Sequence, residues 1–93
     1  METIRDRDGN EILTIDKELM FAVFDCVDLS NADFNGKCLR YTQFYNCNVK
    51  DADFRGADLL GATIVWTDFR EAITDKKTLF PTVVTKHQVH ALS

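Results

Sequence analysis

Three kinds of side chain in this 93-residue chain could carry chemistry: the cysteines Cys26, Cys38 and Cys47, the histidines His87 and His90, and a recurring series of aspartates. A nucleophilic thiol needs a positioned base and a lowered pKa, and neither histidine lies beside a cysteine in sequence. His87 and His90 form H-x-x-H, which on a helical turn would share a face and could grip a metal. Only two ligands are visible there and no cysteine or carboxylate lies nearby, so the pair reads as polar tail histidines. Aspartates could pair for acid–base work. Asp33, Asp53, Asp58 and Asp68, however, each sit immediately before a large apolar residue, a fixed pattern position that makes their recurrence architectural. No G-x-x-x-x-G-K-[ST], G-x-S-x-G, H-E-x-x-H or EF-hand loop occurs. The sequence therefore predicts no catalytic residue, no metal and no cofactor.

Composition narrows the class further. At 45% hydrophobic the chain suits one small globular domain, and a domain of this size buries only about 60–65% of its unfolded surface, which leaves oligomerisation open as a source of stability. No stretch approaches the ~18 apolar residues that span a bilayer, and the charged start M-E-T-I-R-D-R-D is no secretory signal. Three cysteines cannot all pair in one chain and none forms C-x-x-C, so reduced thiols in the cytoplasm are expected. The net charge of −4, without a basic run, disfavours direct nucleic-acid binding.

The elements that position these residues follow one rule. Every fifth residue from Phe24 to Phe69 is large and apolar: Phe24, Leu29, Phe34, Leu39, Phe44, Val49, Phe54, Leu59, Ile64, Phe69. Two residues before most of them stands a small one, as at Ala22, Ala32, Thr42, Cys47, Ala52, Ala57, Ala62 and Thr67. A period of five fits neither a helix at 3.6 nor a plain strand at two. Units such as A-D-F-R-G and A-D-L-L-G resemble the pentapeptide-repeat family, whose pattern is A-(D/N)-(L/F)-x-x. The resemblance implies an all-β fold: a right-handed quadrilateral β-helix, one pentapeptide per face and four faces per coil, whose coils bury their inner residues on one another. It also implies a period of twenty. Folded that way, Leu19, Leu39 and Leu59 stack in one column, Phe24, Phe44 and Ile64 in the next, then Leu29, Val49 and Phe69, then Phe34 and Phe54. About three coils over 17–76 are expected, with the large residue filling the axis and the small one beside it. Lys37, with Lys17 one coil earlier, falls on a small inward position; snorkelling of its stem to water is the expected resolution.

Residues 1–16 read as an N-terminal hairpin cap, with Ile4 to Arg7 and Glu11 to Ile15 flanking Asp8-Gly9-Asn10. Residues 77–93 read as an irregular C-terminal capping or docking tail, in which Pro81 prevents simple continuation of a ladder. The folding at twenty also sorts the surface. Two adjacent faces carry Met20, Phe21, Val23, Cys26, Cys38, Tyr41, Tyr45, Leu60, Val65 and Trp66 outward, and the other two carry mostly acids and bases. Exposed apolar patches of that kind mark interfaces. The candidate contact residues are Met20, Phe21, Tyr41, Tyr45, Leu60, Val65, Trp66 and Phe80. The functional expectation is a non-catalytic structural or protein–protein interaction module, a homodimer or a docking partner of another protein, without membrane contact. The alternative is a DNA-mimic modulator of DNA gyrase, as the resemblance allows. Three coils would be only ~14 Å long at ~4.8 Å per strand, against about 34 Å for one duplex turn.

Overall fold

The computed structural model describes residues 1–81; His87, His90 and the rest of the tail from residue 82 lie outside the described residues. Among the described residues five strands make up the regular structure: β1 (Glu2–Arg5), β2 (Glu11–Ile15), β3 (Val23–Asp25), β4 (Gln43–Tyr45) and β5 (Thr63–Val65). The described residues are all-β, and no helix among them is long and apolar enough to cross a membrane.

The chain returns alongside itself every twenty residues. Phe24 pairs in parallel with Phe44, and Phe44 with Ile64, in the β3–β4–β5 sheet. Isolated parallel bridges repeat the offset at Asp28–Asn48–Asp68, Asp33–Asp53–Ile73 and Cys38–Asp58. Between these ladders the chain turns sharply. The amides of Ala22, Ala32, Thr42, Ala52, Ala57 and Ala62 each donate to the carbonyl three residues back. The residue before each amide has a positive φ, as at Asn31 (63°), Asp51 (61°) and Gly56 (70°). That bond and that φ are those of a type II turn, which favours Gly or Asn at its third position. Corner amides then donate to the next coil, as Asn31 N–H does to the Lys50 carbonyl at 2.8 Å and Gly36 N–H to the Arg55 carbonyl at 2.9 Å, so turning the chain keeps these donors paired.

The large apolar series forms the core. Leu29, Phe34, Leu39, Phe44, Phe54, Leu59 and Ile64 are fully buried. Rings one coil apart stack, Phe24 on Phe44 at 5.3 Å and Phe34 on Phe54 at 5.1 Å between centroids, while Phe44 and Phe54 meet edge to face at 6.4 Å. Both arrangements suit the aromatic quadrupole.

The ends differ from the simple repeat. β1 and β2 pair antiparallel, and the first strand starts at Glu2, earlier than the D-G turn alone suggests. The turn is closed by Asp6, whose carboxylate accepts from the amides of Asp8 and Asn10, both at 2.9 Å. The hairpin is joined to the repeat: Arg7 N–H donates to the Asn31 carbonyl and Asp33 N–H to the Arg5 carbonyl, both at 2.8 Å. At the other end, Asp58 bridges Leu79, an offset of twenty-one. The extra residue is absorbed where the Asp75 carboxylate accepts from the amides of Gly56, Lys77 and Thr78. Thr78 then takes the small buried place, its hydroxyl donating to the Phe54 carbonyl at 2.8 Å. Lys37 and Lys17 are both exposed, although the same column holds a buried Ala57. No coil is laddered beneath Cys38 among the described residues. The stem of Lys37 therefore leaves at an open end, while its amide still makes the turn bond to Phe34.

Candidate interaction face

The aspartates that could have paired for catalysis serve the backbone instead. Asp28, Asp33, Asp53, Asp58 and Asp68 each accept from the amide two residues on, at 2.9–3.1 Å. Such Asx turns set the chain direction ahead of a corner. Their electrostatics point the same way. The Ser30 hydroxyl and amide hold Asp28 below the ordinary carboxylate range, and the Arg55 guanidinium and amide hold Asp53 far below it. A general acid at neutral pH needs the opposite shift. The thiols are likewise pushed away from reactivity: the neighbouring Asp25 carboxylate raises Cys26, and burial raises Cys47. Cys47 is tied to the neighbouring coils, its Sγ donating to the Phe24 carbonyl at 3.3 Å and its amide to Thr67 Oγ1 at 3.2 Å. Among the described residues, no three His, Cys, Asp or Glu gather as metal ligands.

What the fold does assemble is an aromatic face. The outward side of β3–β4–β5 presents Val23, Gln43 and Thr63 in one column and Asp25, Tyr45 and Val65 in the next. Phe21, Tyr41 and Gly61 line one flanking corner; Cys26, Asn46 and Trp66 line the other. Phe21 and Trp66 are each 61% exposed, Val23 55% and Tyr41 49%. The Phe21 and Tyr41 rings stack with centroids 5.2 Å apart and planes 11° from parallel. The Tyr41 ring leans one coil further, over Gly61, where a Cβ would lie 2.5 Å from its Cε1. Tyr45 is half-buried, its hydroxyl donating to Gln43 Oε1 at 2.6 Å.

Backbone strain singles these aromatics out. Phe21, Tyr41 and Trp66 have φ of 69°, 62° and 52°. Left-handed backbone costs an L-residue about 1–2 kcal/mol, with Gly, Asn and Asp as the cheap occupants. The charged side of the molecule uses those cheap occupants, with Asn31, Asp51, Gly36 and Gly56 at its corners. Among the described residues, bulky rings stand at such corners only beside β3–β4–β5.

The expected contact residues divide accordingly. Phe21, Tyr41, Tyr45, Val65 and Trp66 come together on and around the β3–β4–β5 face. Met20 and Leu60 lie half-buried one column away, flanking Arg40, which pairs with Asp58 at 2.6 Å. That ion pair, with exposed Lys37, interrupts the second of the two apolar walls that the period of twenty suggests. Phe80 lies elsewhere: half-buried, it meets Phe69 edge-on at 5.9 Å over the end of the core. Two further residues belong to the face and carry polar groups, Gln43 and Asn46. The remaining sides hold the pairs Arg55–Asp53, Arg70–Asp68 and Lys50–Glu71.

A family model of pentapeptide repeats matches residues 29–73 in nine copies. The chain is a pentapeptide-repeat protein. The matched span runs from Leu29 to Ile73 and so takes in β4, β5 and the Tyr41 and Trp66 corners, while Phe21 and Val23 precede it. For a pentapeptide-repeat protein the twenty-residue ladders are the backbone pairing of a β-helix. No curated protein and no solved structure matches the chain.

Proposed function

We propose that the ladders close into a right-handed quadrilateral β-helix of about three coils that works as a rigid, non-catalytic protein–protein interaction module in the cytoplasm. The observation that carries this is the aromatic face: exposed rings held at left-handed corners, on a side that holds no ion pair among the described residues. Strain retained at a surface position points to use of that position. Exposed apolar clusters of this size are commonly contact surfaces. The free thiols of Cys26, Cys38 and Cys47 are compatible with a reducing compartment.

Mimicry of duplex DNA, the alternative that modulates gyrase, is less well supported. A mimic needs an uninterrupted acidic surface, whereas Asp53, Asp58 and Asp68 are each neutralised by an arginine within 3 Å. The experiment is a cross-linking capture with wild type, a Phe21→Asn/Tyr41→Asn variant and a Lys50→Ser/Arg70→Ser control, alongside a gyrase supercoiling assay. Partners captured by wild type and control but lost with the aromatic variant support the interaction role. Capture indifferent to the aromatic pair, or gyrase inhibition that survives their replacement, overturns it.

A further inference from the structure

We infer that the occupant of the aromatic face is a second copy of this chain, docked face to face across a twofold axis, a step that rests on the interaction role proposed above. Three observations favour a copy over an unrelated protein. The first is area. With Phe21 and Trp66 61% exposed, Val23 55% and Tyr41 49%, and about 150–250 Å² available to each aromatic side chain, these four leave on the order of 450 Å² open. The half-buried Gln43, Tyr45, Thr63 and Val65 between them bring the face to roughly 600 Å², so a twofold pairing would bury about 1,200 Å² in total, the lower end of stable interfaces. A lone loop or peptide laid on so flat a surface would leave much of it wet.

The second is charge. The chain carries −4 overall, which would set like copies against each other on most sides. Asp25 is the one charged side chain on the face, and it stands in the first row at the rim, where a charge stays hydrated. A twofold running along the strands sets Asp25 opposite the Val65 position; one running across them sets it opposite the Val23 position. In both cases the two carboxylates stay apart.

The third is composition. The face mixes rings with the amides of Gln43 and Asn46, and the phenol of Tyr45 already has its acceptor. An isologous contact asks for such a self-complementary set, in which donors and acceptors appear on both copies. Tyr and Trp on a sheet are low-entropy anchors of the type found in interface cores.

The test is sedimentation of full-length wild type from about 1 to about 300 µM, with Phe21→Asn/Tyr41→Asn as the variant; Asn suits a left-handed corner, so the fold should survive. A face of this size predicts a dimer with Kd in the micromolar range, weakened at least tenfold in the variant, whose circular dichroism stays that of wild type. If the variant fails to fold, Val23→Lys on the same face supplies the same readout. A wild type monomeric throughout, or a dimer indifferent to these substitutions, overturns the inference. Face-dependent capture of a different protein by a monomeric wild type would overturn the second copy and leave the interaction role standing; loss of both would remove both.

Discussion

Gly61→Ala tests the aromatic column at the atom where it closes. Gly61 has a φ of 76°, and an added Cβ would lie 2.5 and 2.6 Å from Cε1 and Cδ1 of Tyr41. Two costs follow. Alanine in left-handed backbone is less favourable than glycine by about 1–2 kcal/mol. The methyl also evicts the Tyr41 ring, which then leaves its stack on Phe21 at 5.2 Å; an aromatic pair is worth about 0.5–1.5 kcal/mol beyond its area. The sum is about 1.5–3.5 kcal/mol, or roughly 6–28 °C in Tm for a domain this small. Urea unfolding at one fixed protein concentration measures it, since association would make the midpoint concentration-dependent. The discriminating experiment is the double-mutant cycle with Tyr41→Ala. Once the ring is gone, Gly61→Ala should cost the backbone share alone, so the coupling should equal about 0.5–1.5 kcal/mol. Additivity to within about 0.3 kcal/mol would refute the placement of Tyr41 over Gly61.

Phe54→Ala should cost about 3–5 kcal/mol in urea unfolding, because Phe54 is fully buried between Phe34 at 5.1 Å and Phe69 at 4.9 Å. Lys37→Ala, in the column of buried Ala57, should change stability by less than about 0.5 kcal/mol; a large effect either way would mean that its side chain is inside. Asp53 is held far below the ordinary carboxylate range by Arg55 and Asn35, with its side chain 7% exposed. Its folded pKa is depressed, so its contribution is present above the unfolded value of about 3.9 and is lost as pH falls through the lower folded value. The stability gap between wild type and Asp53→Asn should therefore shrink below about pH 4, and a gap constant from pH 5 to pH 2 would contradict the ion pair. Thr78→Val removes the hydroxyl that donates to the Phe54 carbonyl at 2.8 Å and should cost about 1 kcal/mol; no loss would place the ladder's end before Thr78.

The repeat was legible because its rule is steric. Only a large apolar residue fills the axis and only a small one fits beside it, so the series Phe24 to Phe69 and the Ala32–Ala52 column could be sorted without coordinates. Cys47 inward, with Cys26 and Cys38 outward, follows from the same rule and is observed. Three features were not legible, each for a local reason. Lys37 sits on an inward position by count, but no coil is laddered beneath Cys38 among the described residues, and a long charged stem at that open end reaches water. The twenty-one-residue step to Leu79 depends on Asp75 gathering three amides, a capacity that no spacing announces. Phe80 carries the composition of a contact residue, yet one extra residue turns it onto Phe69. The aromatic face was half legible: the columns followed from the period, but the left-handed backbone at Phe21, Tyr41 and Trp66 did not, because only Gly and, more weakly, Asn and Asp advertise a positive φ by residue type.

That backbone sets the relation between folding and contact in this protein. The corner is required of every coil, so each coil spends a left-handed residue whatever its surface must do. Where the surface is charged, the corner is filled by Asn, Asp or Gly and the turn is nearly free. Beside β3–β4–β5 three of the six corners, Phe21, Tyr41 and Trp66, are aromatic, each against an opposing backbone term of about 1–2 kcal/mol, while Cys26, Asn46 and Gly61 fill the others. The Phe21–Tyr41 stack returns about 0.5–1.5 kcal/mol within the monomer, less than the two corners together cost. Phe21 is 61% and Tyr41 49% exposed, so about half of the area of these rings stays in water and contributes nothing within the monomer. Burying even half of that open area against a partner, at about 25 cal/mol per Å², would offset the deficit. On the proposed reading, covering the face would therefore stabilise these corners as well as the contact, so that folding and association are coupled on this side of the repeat.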